Sequence, residues 1–571
     1  MADILLIQPP IRDFYLTAKR TVPYGLACIA ASLLEDGFSV RILDALATNK
    51  SRVMDLPTEM SYLREFYPGP DISPFSLFFS FRHYGCGFDE IGEAARISGA
   101  FLIGISSLFT AYSEEALKTA EIVKRNCPEA LVVMGGHHPT EMPGEVLRSP
   151  WVDFVLRGDG EESLRCLAGA LRDGTPLRSV PGIGFRKPDG GVFLNPPASV
   201  ADLNDVPLPA VELIDLGVYQ RKKRPCAVIA AGRGCPFRCS YCSIGGAAWS
   251  RFRLKRTDRV IAEMERAVEM AGARFIDFED ENISSDRKWF LRLLREIKHR
   301  FSGCGLELRA MNGLYPPTLD EEVIREMKEA GFSALNLSLC TTCSEQLRRF
   351  NRADVRTSFE RALRHAVDYG LQTVGYIIVG SPGQHAEDSV ADLLYLASQD
   401  VLAGVSVFYP APGSADFEKC RLQNLLPSEF SLMRSTALPI SDTTTREESA
   451  TLMRLGRLLN FMKSLSPEEM RQILVQANSS AAPEGLNTET RYPHESYEKG
   501  RPLARLSLTI EKRREIGKVL LGSFFRDGRI RGMSQQGKVF EHRVSDRLCR
   551  KFREGCQAIF GDSSSRPFGT P

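Results

Sequence analysis

The chain is short of histidine, of charge imbalance and of long apolar runs, and each shortage closes off a class of function. Its 571 residues hold 8 histidines, none of them between His138 and His299, so that stretch has no imidazole to complete a zinc site. Lys and Arg number 73 against 71 Asp and Glu, a net charge of +2, which lacks the basic excess of a nucleic-acid surface. No apolar run approaches the length of a membrane span. The opening Met-Ala-Asp-Ile-Leu-Leu-Ile-Gln-Pro-Pro has neither a basic start nor a small-residue cleavage site, and reads as a first strand. Its 14 cysteines, without a secretion signal, fit a reducing compartment, so the expected location is cytoplasmic. At 43% hydrophobic and 25% charged the composition is that of a globular protein, and the length exceeds one core.

The most informative stretch is Gly232-Arg-Gly-Cys-Pro-Phe-Arg-Cys-Ser-Tyr-Cys-Ser-Ile244. Its thiols, Cys235, Cys239 and Cys242, stand in a C-x3-C-x2-C spacing. Four thiolates fill a zinc tetrahedron or an iron–sulfur cube, whereas three leave one metal position open for a substrate. The apolar run from Cys226 ends in glycine, so the thiols leave the C-terminal end of a buried strand, where α/β barrels keep their chemistry. A zinc knuckle or three unrelated thiols is the alternative. Zinc sites, however, usually pair two C-x2-C elements or add histidines.

The first 175 residues alternate apolar runs with amphipathic stretches, which predicts a doubly wound, Rossmann-like α/β sheet. Strands are expected at 3–8, 39–43, 100–106, 130–135 and 152–156, with helices at 24–36, 113–125 and 160–172. Residues 48–98 interrupt the rhythm with a run dense in aromatics and arginine, expected to be a lid or docking element or to pack on a neighbouring domain. Residues 176–222 form a linker with a hairpin around Pro188-Asp-Gly-Gly191. From 223 to 425 the alternation resumes and predicts six βα units, a partial TIM-type barrel. Residues 426–571 are expected to be a helical region, with 477–500 a polar loop and 561–571 a tail.

Three turns at strand ends carry special chemistry: Gln8-Pro9-Pro10-Ile11, Gly135-Gly136-His137-His138-Pro-Thr140, and Gly158-Asp-Gly160-Glu161-Glu162. Adjacent glycines let backbone approach a bulky ligand, although tight βα turns alone use the same residues. On the barrel rim, polar residues follow successive strands: Glu279-Asp280-Glu281-Asn282, Asn312, Ser338, and Gly380-Ser-Pro-Gly-Gln384. Asn282 and Ser338 also suit helix caps or turns. The pair Cys340-Thr-Thr-Cys343 is consistent with an auxiliary metal site or with ordinary loop thiols.

The cysteine loop, with Tyr241 before its last cysteine, resembles the cluster motif of the radical S-adenosylmethionine (SAM) superfamily. The Q-P-P start, Pro23-Tyr-Gly-Leu26, G-G-H-H-P-T and G-D-G-E-E together resemble the cobalamin-binding (B12-binding) domain that precedes the radical SAM domain in one large class. The resemblance implies a [4Fe–4S] cluster on Cys235, Cys239 and Cys242, with SAM on the open iron. It implies SAM contacts from Tyr241, from Glu279 to Asn282 at the amino group, from Asn312 and Ser338, and from Tyr376 and Ile378 at the adenine edge. Cobalamin contacts are implied for Gln8, Pro9, Pro10, Gly135, Gly136, His137, His138, Gly158, Gly160 and Glu161. The D-x-H-x-x-G cobalt-ligand motif is absent, and His83 and His137 sit in the wrong contexts for it, which implies a corrin lower face without a protein histidine.

The implied activity is a methyltransferase that uses methylcobalamin and a 5′-deoxyadenosyl radical on an unactivated carbon. The substrate would be a small metabolite, lipid or natural-product intermediate. Oxidation, cyclisation or rearrangement by the same two cofactors is the alternative, as is a first domain that no longer binds cobalamin. The implied partners are a small-molecule substrate and an electron donor such as flavodoxin or ferredoxin, with no nucleic acid.

Overall fold

The computed structural model describes residues 2–14, 22–78, 80–245, 247, 249–478, 488–489 and 509–561. It divides into two compact units that interleave along the chain. The first holds the chain up to Met54, Arg82–Asn336 and Pro410–Met433; the second holds Asp55–Phe81, Leu337–Tyr409 and the chain from Arg434 onward. Most of 477–500 and nearly all of 561–571, the expected loop and tail, lie outside the described residues.

The first unit opens with β1 (Ile4–Gln8), β2 (Val40–Asp44), β3 (Leu102–Ser106), β4 (Leu131–Gly135) and β5 (Phe154–Leu156), all parallel, in the order β2-β1-β3-β4-β5. That order is a doubly wound sheet with its switch point between β1 and β3. Successive residues of β1 point to opposite faces and both are buried. Ile4 and Leu6 join a core with α1 (Tyr24–Glu35), while Leu5 and Ile7 join one with Ile91 and Ala95 of α2 (Phe88–Ser98). Fully apolar strands are what a sheet covered on both faces requires. Further crossovers are α3 (Ser113–Asn126) and α4 (Gly160–Asp173).

Two sequence expectations change here. The interruption at 48–98 ends earlier than expected, because α2 is the regular crossover into β3. Glu90 reaches back to the Gly87 N–H, and the apolar stripe is short, so its period is easily lost beside the aromatic run. The expected linker hairpin, β6 (Ile183–Arg186) and β7 (Val192–Leu194), instead extends the sheet antiparallel from β5.

The remainder of the first unit begins the second βα series. Parallel strands β8 (Arg224–Ile229), β11 (Phe275–Phe278) and β12 (Glu307–Ala310) are joined by α5 (Thr257–Ala271) and α6 (Arg287–Arg300). Between β8 and α5, a two-residue antiparallel ribbon, β9 (Gly232–Arg233) and β10 (Arg253–Leu254), closes the base of the cysteine loop. After α7 (Glu321–Ala330) comes a sheet in the order β13 (Ala334–Cys340), β14 (Gln372–Val379), β15 (Leu402–Val407), with α8 (Arg356–Asp368) and α9 (Ala386–Ala397) as its connections. The six strands expected from the alternation are all present in order.

The second unit also holds the helices α10 (Arg446–Lys463), α11 (Ile510–Asp527) and α12 (Asp546–Gly561). The aromatic segment 55–81 is anchored among them. Fully buried Arg454 donates to the Phe66 and Phe75 carbonyls at 2.9 and 3.2 Å, and Tyr62 and Tyr67 hydroxyls donate to Ala437 and Thr436 carbonyls. No helix among the described residues is long and apolar enough to cross a membrane.

Candidate functional site

The cysteine loop leaves β8 through a strained entry. Gly234 has φ +77°, and a Cβ there would lie 2.5 Å from the carbonyl oxygens of Ser250 and Arg251, so only glycine lets the loop's two ends approach. Three carboxylates hold the loop. Asp280, at the end of β11, accepts the N–H of Ala231 and Gly232 at 3.0 and 2.6 Å. Asp416 accepts the Ser240 hydroxyl at 2.7 Å and donates its own N–H to the Ser240 carbonyl. Asp159 lies at 3.0 Å from Arg233 and 2.9 Å from Arg253 on the ribbon.

Cys239 is buried, and Cys235 and Cys242 are partly so. Burial pushes the Cys235 and Cys242 thiols up. Backbone N–H groups pull the other way by donating to sulfur, Phe237 to Cys235, and Ile244 and Gly245 to Cys242. Such donors favour the thiolate, the form that ligates metal. Among the described residues, no three His, Cys, Asp or Glu side chains converge on a point that one metal ion could occupy. Thiolates on a four-iron cube bind separate irons, so the loop need not bring its sulfurs to one point. The loop's donor set therefore fits a cluster.

The acidic run divides its labour. Asp280 is buried with both oxygens on backbone N–H groups, and burial pushes its carboxyl up to about 7. Glu279 is exposed. Glu281 is half-buried close enough to Cys235 and Cys242 to raise both thiols, and burial raises its own carboxyl. Asn282 is buried in a turn, its amide oxygen near the Ser284 hydroxyl, and Asn312 donates to the Glu279 carbonyl at 2.9 Å. In the second unit, Ser338 accepts from Arg352 at 3.2 Å, Ile378 offers its carbonyl to Gln384 at 3.0 Å, and Tyr376 packs against Gly404. Cys340 is buried at φ +74° and Cys343 donates its N–H to Thr341; neither is in a disulfide.

At the carboxyl edge of the first sheet, two glycine turns meet through one hydroxyl. Thr140 donates to the Gly136 carbonyl at 2.8 Å and accepts the Gly158 N–H at 2.9 Å. Gly136 has φ +120°, and a Cβ would lie 2.5 Å from the Ser107 carbonyl. Beside it, the Ser107 hydroxyl and His137 Nδ1 are buried and have no hydrogen-bond partner among the described residues. Leu108 and Phe109, in the same turn, are 40% and 46% exposed. Orphaned polar atoms next to bare apolar side chains at a switch point fit a large amphipathic ligand such as a corrin. His138 is committed elsewhere, at 3.2 Å from Thr110 with its ring edge-on to Phe430. Pro9 and Pro10 are buried, Gln8 donates to Asp44 at 3.0 Å, and Glu161 pairs with Arg233.

Ser107, Leu108, Phe109, Arg233 and Trp249 were not singled out from sequence. The usable signal was position: a Ser-Leu-Phe turn directly after the central strand, and an arginine between two glycines ahead of the first cysteine. Trp249 packs 5.9 Å from His137 and donates to Glu141 at 3.3 Å.

The Radical SAM superfamily model matches residues 229–395, and the B12 binding domain model matches residues 74–168. The chain carries a radical SAM domain and a B12-binding domain. The superfamily match takes in the cysteine loop and the acidic run, and the B12-binding match takes in both glycine turns but not Gln8-Pro9-Pro10. The chain is 26% identical over 431 residues to an uncharacterised methyltransferase of Pyrococcus horikoshii, covering 74% of this chain and 84% of that one. It is 25% identical over 478 residues to the cytidylyl-2-hydroxyethylphosphonate methyltransferase of Streptomyces wedmorensis, covering 76% and 84%. Among solved structures it shares the fold of the radical SAM methyltransferase TsrM of Kitasatospora setae, solved with cobalamin and a [4Fe–4S] cluster, at TM-score 0.56 and 20% identity over 74% and 75% of the two chains.

Proposed function

We propose that this radical SAM enzyme is a cobalamin-dependent methyltransferase acting on an unactivated carbon of a small metabolite, lipid or natural-product intermediate. The observation that carries the reading is the three-thiol loop, gripped by Asp280, Asp416 and Asp159 and supplied with backbone donors to sulfur. When bound, the cluster supplies the electron that cleaves SAM, and the corrin supplies the methyl group.

The chain's own residues then have separable tasks. Cys235, Cys239 and Cys242 hold the cluster and leave one iron open. Glu281, half-buried beside the loop, accepts the SAM ammonium, while Asp280 keeps the loop's entry in register. Tyr241, Asn312, Ser338, Tyr376 and Ile378 are assigned to SAM from the sequence. Ser107, Gly135, Gly136 and His137 face the corrin, with Leu108 and Phe109 covering its apolar rim. A small-molecule substrate and a reduced flavodoxin or ferredoxin complete the system in the cytoplasm, with no nucleic acid.

The test is a product mass. Anaerobically reconstituted protein, given hydroxocobalamin, reductant and SAM labelled at its methyl group, is incubated with candidate small-molecule fractions. A product one labelled methylene heavier is expected. Products that have lost hydrogens or gained oxygen, with no label, would replace methylation by oxidative chemistry.

A further inference from the structure

Arg233 and Arg253 are direct cross-strand partners in the ribbon that closes the cysteine loop. Like charges opposite one another in a two-stranded ribbon repel, and this ribbon has no other residue pair than Gly232 with Leu254 to hold it. The repulsion is met by one carboxylate from the G-D-G-E-E turn. Asp159 places one oxygen 3.0 Å from Arg233 Nη1 and the other 2.9 Å from Arg253 Nη1. Glu161, two residues on, takes the rest of the Arg233 fork. Asp159 and Glu161 are both under 10% exposed, and the second Asp159 oxygen also accepts the Val200 N–H at 2.8 Å.

We propose that Asp159 and Glu161 are positioning residues for the cysteine loop: an anionic clamp, carried by the B12-binding domain, that holds the loop's neck shut and fixes the thiols for cluster assembly. The G-D-G-E-E turn thereby couples the two cofactor domains through charge, and Glu161 serves the cluster loop in place of the corrin. This rests on the cluster assignment of the preceding subsection. A bidentate guanidinium–carboxylate contact fixes direction as well as distance, which a lysine at 233 could not reproduce.

The test compares Asp159→Asn, Asp159→Asn with Arg253→Gln, Arg233→Lys and Cys239→Ala in the full chain. Three readouts are iron and sulfide content, the electron paramagnetic resonance spectrum of the reduced cluster with and without SAM, and tryptic cleavage of the apoprotein after the exposed Arg238 and Arg251. Asp159→Asn is expected to hold cluster roughly tenfold more weakly and to be cut faster in the loop, with corrin retention unchanged. Removing the opposed arginine in the double variant relieves the repulsion and restores both. Arg233→Lys is expected to keep the cluster but alter its spectrum on adding SAM. Full cluster content, an unchanged spectrum and unchanged cleavage in Asp159→Asn would overturn the clamp, as would loss of corrin with the cluster intact. If Asp159→Asn fails to fold, failure of the double variant to recover would overturn it too. A cluster retained by Cys239→Ala would instead sink the cluster assignment, whatever Asp159 does.

Discussion

The carboxylate of Asp280 accepts the backbone N–H of Gly232 at 2.6 Å, tying the end of one barrel strand to the entry of the cysteine loop on its neighbour. Its second oxygen takes the Ala231 N–H, so one side chain fixes two consecutive peptide units. Asp280→Asn keeps one acceptor and turns an amide N–H toward a backbone N–H. The expected cost is about 1–3 kcal/mol for the stranded donor, seen as a lower midpoint in denaturant together with reduced cluster iron. Wild-type iron content and stability in this variant would reduce Asp280 to an incidental contact.

Glu281 stands apart from that structural task. Glu281→Gln removes the charge beside the thiols without removing a thiol, so the cluster is expected to form normally. SAM affinity, followed by the spectral change of the reduced cluster on titration, is expected to fall roughly 30-fold, as for loss of one partner of a desolvated charge pair. An unchanged titration would pass the ammonium-binding role to Glu279 or to another group.

Gly136→Ala introduces a methyl group 2.5 Å from the Ser107 carbonyl at a backbone angle that L-residues avoid. The turn must move or strain by about 1–3 kcal/mol, and the neighbouring Ser107 and His137 move with it. Corrin retention after desalting is expected to drop while cluster content stays intact. Equal loss of both cofactors would indicate general unfolding instead.

In the second unit, His542 Nε2 lies 3.0 Å from Asp71 Oδ2, both side chains almost fully buried. Burial holds His542 down at about 4, with nearby Arg454 adding to the effect, and Asp71 opposing it. A histidine depressed in the folded state contributes stability above its unfolded value near 6.5, and that contribution is lost as pH falls toward 4. Protection of 531–542 against hydrogen exchange, taken relative to the intrinsic rate at each pH, is therefore expected to fall between pH 6.5 and 4 in the wild type. His542→Asn, which does not titrate there, should show a flatter profile; identical profiles would remove His542 as the cause.

Local pattern carried much of this fold to the surface of the sequence. Strands β1, β3, β4 and β5 of the first sheet were legible because both faces are buried and the runs are almost wholly apolar. The cysteine loop was legible because its spacing and the strand before it are contiguous. Helix α2 was not, since its short stripe follows a segment rich in aromatics that belongs to the other unit. The Asp159–Arg233–Arg253 contact was hidden for a different reason. It joins residues 74 to 94 positions apart through side-chain charge, and no period or local motif encodes such a pairing. Glu161 shows the consequence: its motif was legible, but its partner was not. Nor does a sequence reveal that Ser107 and His137 have polar atoms unpaired among the described residues, since that depends on how three separate turns meet.

The central claim is that one chain holds both a corrin and a SAM-cleaving cluster. The most direct measurement is the ultraviolet–visible spectrum of anaerobically reconstituted protein after incubation with hydroxocobalamin and desalting, with Cys239→Ala in parallel. The account predicts about one equivalent of retained corrin in both proteins, in the form lacking a nitrogen lower ligand, with SAM cleavage in the wild type alone. A wild-type protein that cleaves SAM but retains no corrin would contradict it and leave the first domain a scaffold.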